Sequence, residues 1–309
     1  MSHSVKSIRK EFAAHGVFYT DIKLAEMLRD IMMAHGQVSE VYDPTCGSGN
    51  LLSVFPANVC KYGQELNPEQ AEEARNRLVN CKIVTGDTLT DPAFKEKKFR
   101  HIVANYPFSV KWEPRPDERW QHAPALPPPS KADYAFIMHI IHMLSDDGIA
   151  AVLGYPGILY RGQREGKIRQ WIVERNLIES VTQIEGGYFE DTGTSTALIV
   201  FRKDKRTTDI RFADHESGKE YVATIDEVRR NDFNLSSGSY IQVEDHRPEI
   251  DPVEKEKEAR GQVLRHLTAQ LRFSSAAVDL HKMLGLPPLP PISEFLKSID
   301  LITAQYRNL

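Results

Sequence analysis

The sequence predicts an α/β protein built on an open, mostly parallel sheet. Three observations carry this. Between about residues 40 and 205, short apolar runs alternate with longer amphipathic stretches, the pattern of strands joined by crossover helices. The runs are nearly continuous in apolar residues, as strands covered on both faces require. The last two runs are joined by "GGYFEDTGTS", too short for a helical crossover, so an antiparallel hairpin is expected at that edge.

Taken in order, "SEVYD" is the first strand, and a helix starts from Gly49. "KYGQEL" is the second strand, followed by the charged helix "NPEQAEEARNRLVN", with Pro68 in its first turn, where a missing N–H costs nothing. "KIVTGD" and "FRHIVAN" are the third and fourth strands. "ADYAFIMHIIHMLSDDG" reads as an amphipathic helix ended by Gly148, and "IAAVLGY" as the fifth strand. The basic helix "EGKIRQWIVERN" then leads to "LIESVTQIE" and "TALIVFRKD", which complete an expected seven-stranded sheet.

The remaining segments differ in texture. Residues 110–131, "VKWEPRPDERWQHAPALPPPSK", form a proline-rich loop whose length within a compact domain points to function or mobility. Residues 206–248 read as short strands and turns. "EIDPVEKEKEARGQVLRHLTAQL" is a helix with a charged start, and "LGLPPLPPIS" a stiff linker before a final short helix. The expected division is a domain over 1–245 and a helical extension over 246–309.

Composition excludes several classes. With 41% apolar and 27% charged residues the chain is an ordinary globular protein. The three cysteines, Cys46, Cys60 and Cys81, include no CxxC pair, so neither a disulfide framework nor a zinc site is suggested and a reducing cytoplasm is expected. "MSHSVKSIRKEFAAHG" lacks an apolar core of signal-peptide length, and no window is long enough to span a bilayer, so no membrane association is expected. The net charge of −4 means that contact with nucleic acid requires basic residues gathered on one face, or a partner supplying phosphate contacts.

The candidate site lies at the ends of the first four strands. Asp43-Pro44-Thr45-Cys46-Gly47-Ser48-Gly49-Asn50 joins the first strand to the first helix. Its glycines allow backbone N–H groups to approach a ligand, and the helix start favours a negative group; a plain tight turn is the other reading. The pattern lacks a full GxGxxG and the Lys-Ser/Thr of a P-loop, which argues against a dinucleotide or a triphosphate. Glu65 ends the second strand, where an acidic side chain can take both hydroxyls of a ribose. Asp87 ends the third, in "GDTL", suited to the amine of a nucleoside base. Together they describe a site for an adenosine carrying an amino-acid tail.

The fourth strand delivers Asn105-Tyr106-Pro107-Phe108 to the same edge, where ligands bind in open α/β folds. An exocyclic aromatic amine is a poor nucleophile because its lone pair is delocalised. If the Asn105 side-chain oxygen and a main-chain carbonyl accept its two N–H groups, the pyramidal nitrogen needed for attack is favoured. Phe108 offers a face on which an extracted base can stack, worth roughly 1–3 kcal/mol.

This order of motifs resembles the amino-methyltransferases that use S-adenosylmethionine, and more closely the modification (M) subunit of type I restriction-modification systems, which are adenine-N6 DNA methyltransferases. The resemblance runs from "GVFYT" at Gly16–Thr20 through "DPTCGSGNLL", "YGQELNPE", "GDTL", "NYPF", "ADYAFIMHIIHMLSDDGIAAVL" and "FEDTGTSTALIVFRK" to "DFNLSSGSYI" at Asp232–Ile241. It implies a Rossmann-like fold and S-adenosyl-L-methionine as cofactor, held by Phe18, Thr20, Asp43, Thr45, Gly47, Gly49, Glu65, Asp87 and Asn105. Asn105, Tyr106, Pro107 and Phe108 become the catalytic tetrapeptide, with no metal. Departures from the family pattern are Tyr106 in place of its usual first proline, Asp21 where proline is frequent, and only about fifteen residues before Gly16, where a helical domain commonly stands. Because Pro107 follows, Tyr106 is still driven toward extended geometry.

The implied partners are DNA, a specificity (S) subunit that reads the sequence, and a restriction subunit. Trp112, Trp120, Arg115 and Arg119 could hold the opened strand; equally, the two tryptophans could only pin the long loop to the core. The helices from Pro252 onward could contact the specificity subunit or pack as a plain tail. Alternatives from other classes are a catalytically weak cofactor-binding subunit of a DNA-modification complex, prompted by Tyr106, and a methyltransferase acting on RNA or on protein glutamine.

Overall fold

The strands form where the apolar runs place them. In the computed structural model, which describes residues 20–184, 195–241 and 252–287, they are β1 (Glu40–Asp43), β2 (Cys60–Glu65), β3 (Cys81–Thr85), β4 (Phe99–Asn105), β5 (Leu144–Gly154), β6 (Ile178–Ile184), β7 (Thr196–Arg202), β8 (Ile210–Asp214) and β9 (Glu220–Ala223). They make one sheet in the order β3-β2-β1-β4-β5-β7-β6-β8-β9. The first five are mutually parallel, β7 is antiparallel to both β5 and β6, β8 is parallel to β6, and β9 is antiparallel to β8.

The described helices are α1 (Ile22–Ala34), α2 (Asn50–Ser53), α3 (Pro68–Arg77), α4 (Asp133–Met143), α5 (Gln163–Glu174), α6 (Ile225–Arg230) and α7 (Pro252–Met283). Two apolar layers sandwich the sheet. Ile102 and Ala104 of β4 pack with Phe136, Ile137 and Ile140 of α4, whereas Val103 between them packs with Leu24, Leu28 and Met32 of α1. That alternation is why the run carries no polar residue at these positions: both faces are covered. The chain divides into two compact units, Met1–Val243 and Glu244–Leu309. α7 is the described part of the second, and the expected final short helix lies outside the described residues.

Two expectations need correction. Among the described residues the sheet has nine strands and not seven, and the predicted hairpin of β6 and β7 is not its edge. β8 and β9 continue the sheet beyond β6, because Ile210 and Phe212 of β8 are buried and the Phe212 ring stacks on Tyr240 at 3.9 Å. The helix expected to run to Gly148 ends at Met143. The backbone turns extended at Leu144 (φ −67°, ψ 138°), which pairs with Phe99 across β4. Gly148 instead serves close strand approach, since a Cβ there would lie 3.1 Å from the Phe99 carbonyl oxygen and 2.9 Å from that of Ser145.

Candidate active site

The carboxyl ends of β1 to β4 open into a cleft of about 570 Å³. Its lining brings together Thr20, Asp43, Thr45, Gly47, Glu65, Asp87, Asn105 and Pro107. Gly49, Tyr106 and Phe108 are not part of that lining, and Phe18 lies outside the described residues.

The turn after β1 is shaped by its own carboxylates. Asp43 Oδ1 accepts from the Thr45 N–H at 2.9 Å. Glu65, at the end of the neighbouring β2, accepts from Gly47 N–H at 2.9 Å and from Asn67 N–H at 2.8 Å, one on each oxygen. Each oxygen keeps a further lone pair, so the carboxylate can still accept two hydroxyls. Gly47 has φ +54° and Gly49 φ +86°, the left-handed region open to glycine. At Gly49 a Cβ would also stand 2.8 Å from Leu78 Cδ1, so this glycine seats α2 against the core and does not line the cleft.

Asp87 closes a local turn, accepting from Leu89 N–H and from the Thr90 hydroxyl, both at 2.9 Å. Burial, reinforced by the nearby Glu65 charge, pushes the Asp43 carboxyl up to about 7, against the lowering effect of the Thr45 N–H. Three carboxylates around one cleft favour a ligand that brings cationic, hydroxyl and amine groups.

At the end of β4, Asn105 Nδ2 donates to Thr20 Oγ1 at 2.9 Å. With its amide nitrogen tied, the side-chain oxygen is left as the acceptor. The Tyr106 ring turns the other way into the core, stacking on Phe136 at 5.2 Å and meeting Phe108 edge-on at 5.7 Å. Its hydroxyl is buried without a hydrogen-bond partner. The Tyr106 side chain is therefore a packing element.

Sequence reasoning missed a support behind the third-strand loop. Arg119, almost fully buried, donates to the carbonyls of Thr88 (2.8 Å) and Leu89 (2.6 Å). It also pairs with Asp117 at 2.7 Å, touches His139 Nδ1 at 3.2 Å and lies over the Trp120 ring. The Trp112 and Trp120 rings meet edge-on at 5.3 Å, and their N–H groups donate to the carbonyls of Pro128 and Arg115. Of the two readings of the tryptophans, Trp120 follows the pinned one. Arg115 is exposed and pairs with Glu113. A lone arginine in a polar loop carries no sequence signal of burial; only the flanking Asp117 hints at a local turn. Among the described residues no group of three or more His, Cys, Asp or Glu is placed to hold a metal ion, and no helix is long and apolar enough to cross a membrane.

The family model of the N-6 DNA Methylase matches residues 6–223 of the 309. The chain belongs to the N-6 DNA methylase family. The match ends at the last residue of β9, so it takes in every element that builds the cleft. A curated relative, the type I restriction enzyme MpnII methylase subunit of Mycoplasma pneumoniae, is 29% identical over 297 residues, covering 76% of this chain and 55% of that protein. The HindI methylase subunit of Haemophilus influenzae is 24% identical, covering 87% of this chain and 73% of that protein. Among solved structures, the methyltransferase subunit of a type I restriction-modification system from Streptococcus thermophilus superposes with a TM-score of 0.68 at 27% identity, over 73% of this chain and 59% of that one. The chain thus spans little more than half the length of the first of these relatives.

Proposed function

We propose that this methylase transfers a methyl group from S-adenosyl-L-methionine to the N6 of adenine in DNA, as the catalytic subunit of a type I-like restriction-modification system. The observation that carries the reading is the Asn105–Thr20 hydrogen bond, which leaves an amide oxygen as acceptor on the rim of an acidic cleft. The cleft suits the cofactor by its donor set. Glu65 retains acceptor capacity for the ribose hydroxyls, Asp87 for the adenine amine, and Asp43 favours a cation. When bound, S-adenosylmethionine supplies a methyl group already activated on a sulfonium.

The chain's residues then have mainly to align the acceptor. Asn105 Oδ1 and the Tyr106 carbonyl accept the two N–H groups of the target amine, drawing its lone pair out of conjugation. Phe108 stacks the base, which must leave the duplex at a cost of a few kcal/mol. The proton released after transfer goes to solvent. That the Tyr106 side chain packs in the core supports an active enzyme over a cofactor-binding relic, because the substitution puts no ring into the cleft.

We assign catalysis to residues 1–245 and a helical extension to 246–309. The relatives are named as subunits of type I restriction enzymes, and the chain's net charge of −4 fits a division of labour in which a specificity subunit reads the DNA. A restriction subunit would complete the assembly. The described cysteines are free thiols, which suits action in the cytoplasm.

The test is mass spectrometry of nucleosides from the DNA of a methylation-free host expressing the chain with a candidate specificity subunit. N6-methyladenine that disappears with Asn105→Ala is the expected result. Unmodified DNA from cells holding folded, cofactor-binding protein in an assembled complex overturns it.

A further inference from the structure

We infer that Asp133 is a positioning residue that fixes the turn by which the chain leaves the catalytic tetrapeptide, and so sets the place of Phe108. The inference rests on the proposed role of Phe108 at the target base. Ser109, next in sequence, has φ +55°, a left-handed conformation that a non-glycine residue holds only when its surroundings impose it. Its N–H is shared between the two carboxylate oxygens of Asp133, at 3.3 and 3.2 Å. Asp133 is completely buried and is the first residue of α4, where an acidic side chain is favoured by the helix dipole.

The carboxylate is held on a rigid frame. Ala132 N–H donates to the Val110 carbonyl at 2.8 Å and Trp112 N–H to the Pro129 carbonyl at 3.0 Å, closing the neck of the long loop just beyond Ser109. Arg161 reaches the same place from the segment after β5, with Nη2 3.5 Å from Ser109 Oγ and Nη1 3.5 Å from Glu165. Burial raises the Asp133 carboxyl above the ordinary carboxylate range, opposed by the Ser109 N–H and by this guanidinium. Asp133, accepting the Ser109 N–H, thus compensates a conformation that the serine would otherwise abandon. Without it, Ser109 returns to an ordinary extended or helical geometry and Phe108 is redirected.

The experiment uses the full chain in two measurements. Amide hydrogen exchange read by mass spectrometry follows the peptide spanning residues 106–112 and needs no substrate. Methyl-transfer kinetics in the DNA-modifying complex are set against cofactor affinity from calorimetry. Asp133→Ala is expected to raise exchange in that peptide and lower kcat by about tenfold or more, with the cofactor dissociation constant within about twofold of the parent. Asp133→Asn, which keeps one acceptor oxygen and the side-chain volume, falls less. Adding Ser109→Gly to Asp133→Ala restores a substantial part of kcat, because glycine adopts positive φ freely. Unchanged exchange, a parallel loss of cofactor affinity, or no recovery with glycine overturns the inference. If the parent complex fails to methylate adenine yet Asp133→Ala still loosens the peptide, the clamp stands and the adenine reading falls.

Discussion

The Asn105 side-chain amide donates to the Thr20 hydroxyl at 2.9 Å, joining residues 85 positions apart. In this orientation the amide nitrogen faces Thr20 and the side-chain oxygen is left to accept. Thr20→Val keeps the shape and removes the acceptor. We expect kcat to fall by about tenfold while the protein loses only about 1 kcal/mol of stability. Steady-state kinetics beside denaturant unfolding check both, and an unchanged kcat refutes the orienting role.

Asp43 yields predictions of opposite sign for folding and for binding. Its folded-state pKa, near 7, lies above the unfolded value of 3.8, so its contribution to stability is full below about pH 4 and is lost as pH rises toward 7. Relative to Asp43→Asn, which flattens this dependence, the parent should lose a few kcal/mol across that window. A cationic ligand prefers the ionised form, so affinity for S-adenosylmethionine should instead increase as pH rises through about 7. Calorimetric titrations at pH 6 and 8 on parent and variant test this; equal affinity at both values in the parent counts against it.

Tyr106 is a core residue with an orphaned hydroxyl. Tyr106→Phe should leave stability unchanged or raise it by about 1 kcal/mol, because an unsatisfied polar group is removed. Tyr106→Pro, which restores the usual family residue, should cost about 3 kcal/mol by emptying the space beside Phe136. Thermal unfolding of both separates the two effects, and a stabilising proline contradicts this packing.

Arg119→Met removes the guanidinium that donates to the Thr88 and Leu89 carbonyls and pairs with Asp117, which keeps only the residue-119 N–H. Removing one member of a buried charged network typically costs about 3–5 kcal/mol. Because that network backs the loop carrying Asp87, cofactor affinity should weaken as well. Chemical denaturation and calorimetry measure the two losses, and affinity at the parental value shows the wall to be independent of the loop.

What the sequence disclosed follows the range of the interactions. Ile102, Val103 and Ala104 mark a strand covered on two faces, and each acidic residue at a strand end stands where parallel strands bring it beside the next. What it concealed is non-local or ambiguous. Asp21, a departure from the family pattern, is the N-cap of α1, accepting from the Lys23 N–H at 2.8 Å, and this helix went unread. Gly148 looked like a helix stop and is a strand contact. The direction of the Tyr106 ring, the Asp133–Ser109 clamp and the burial of Arg119 all depend on partners far along the chain.

The position of β7 carries a consequence for synthesis. A chain growing from its N-terminus completes β5 at Gly154, but the neighbour that satisfies the outer edge of β5 is β7, which begins at Thr196. Until those residues emerge from the ribosome, a long apolar strand presents unpaired amides and carbonyls, the surface on which nascent chains associate. Premature termination before Thr196 should therefore yield aggregates, and a trigger-factor-like holdase acting over that interval should raise the yield of soluble protein.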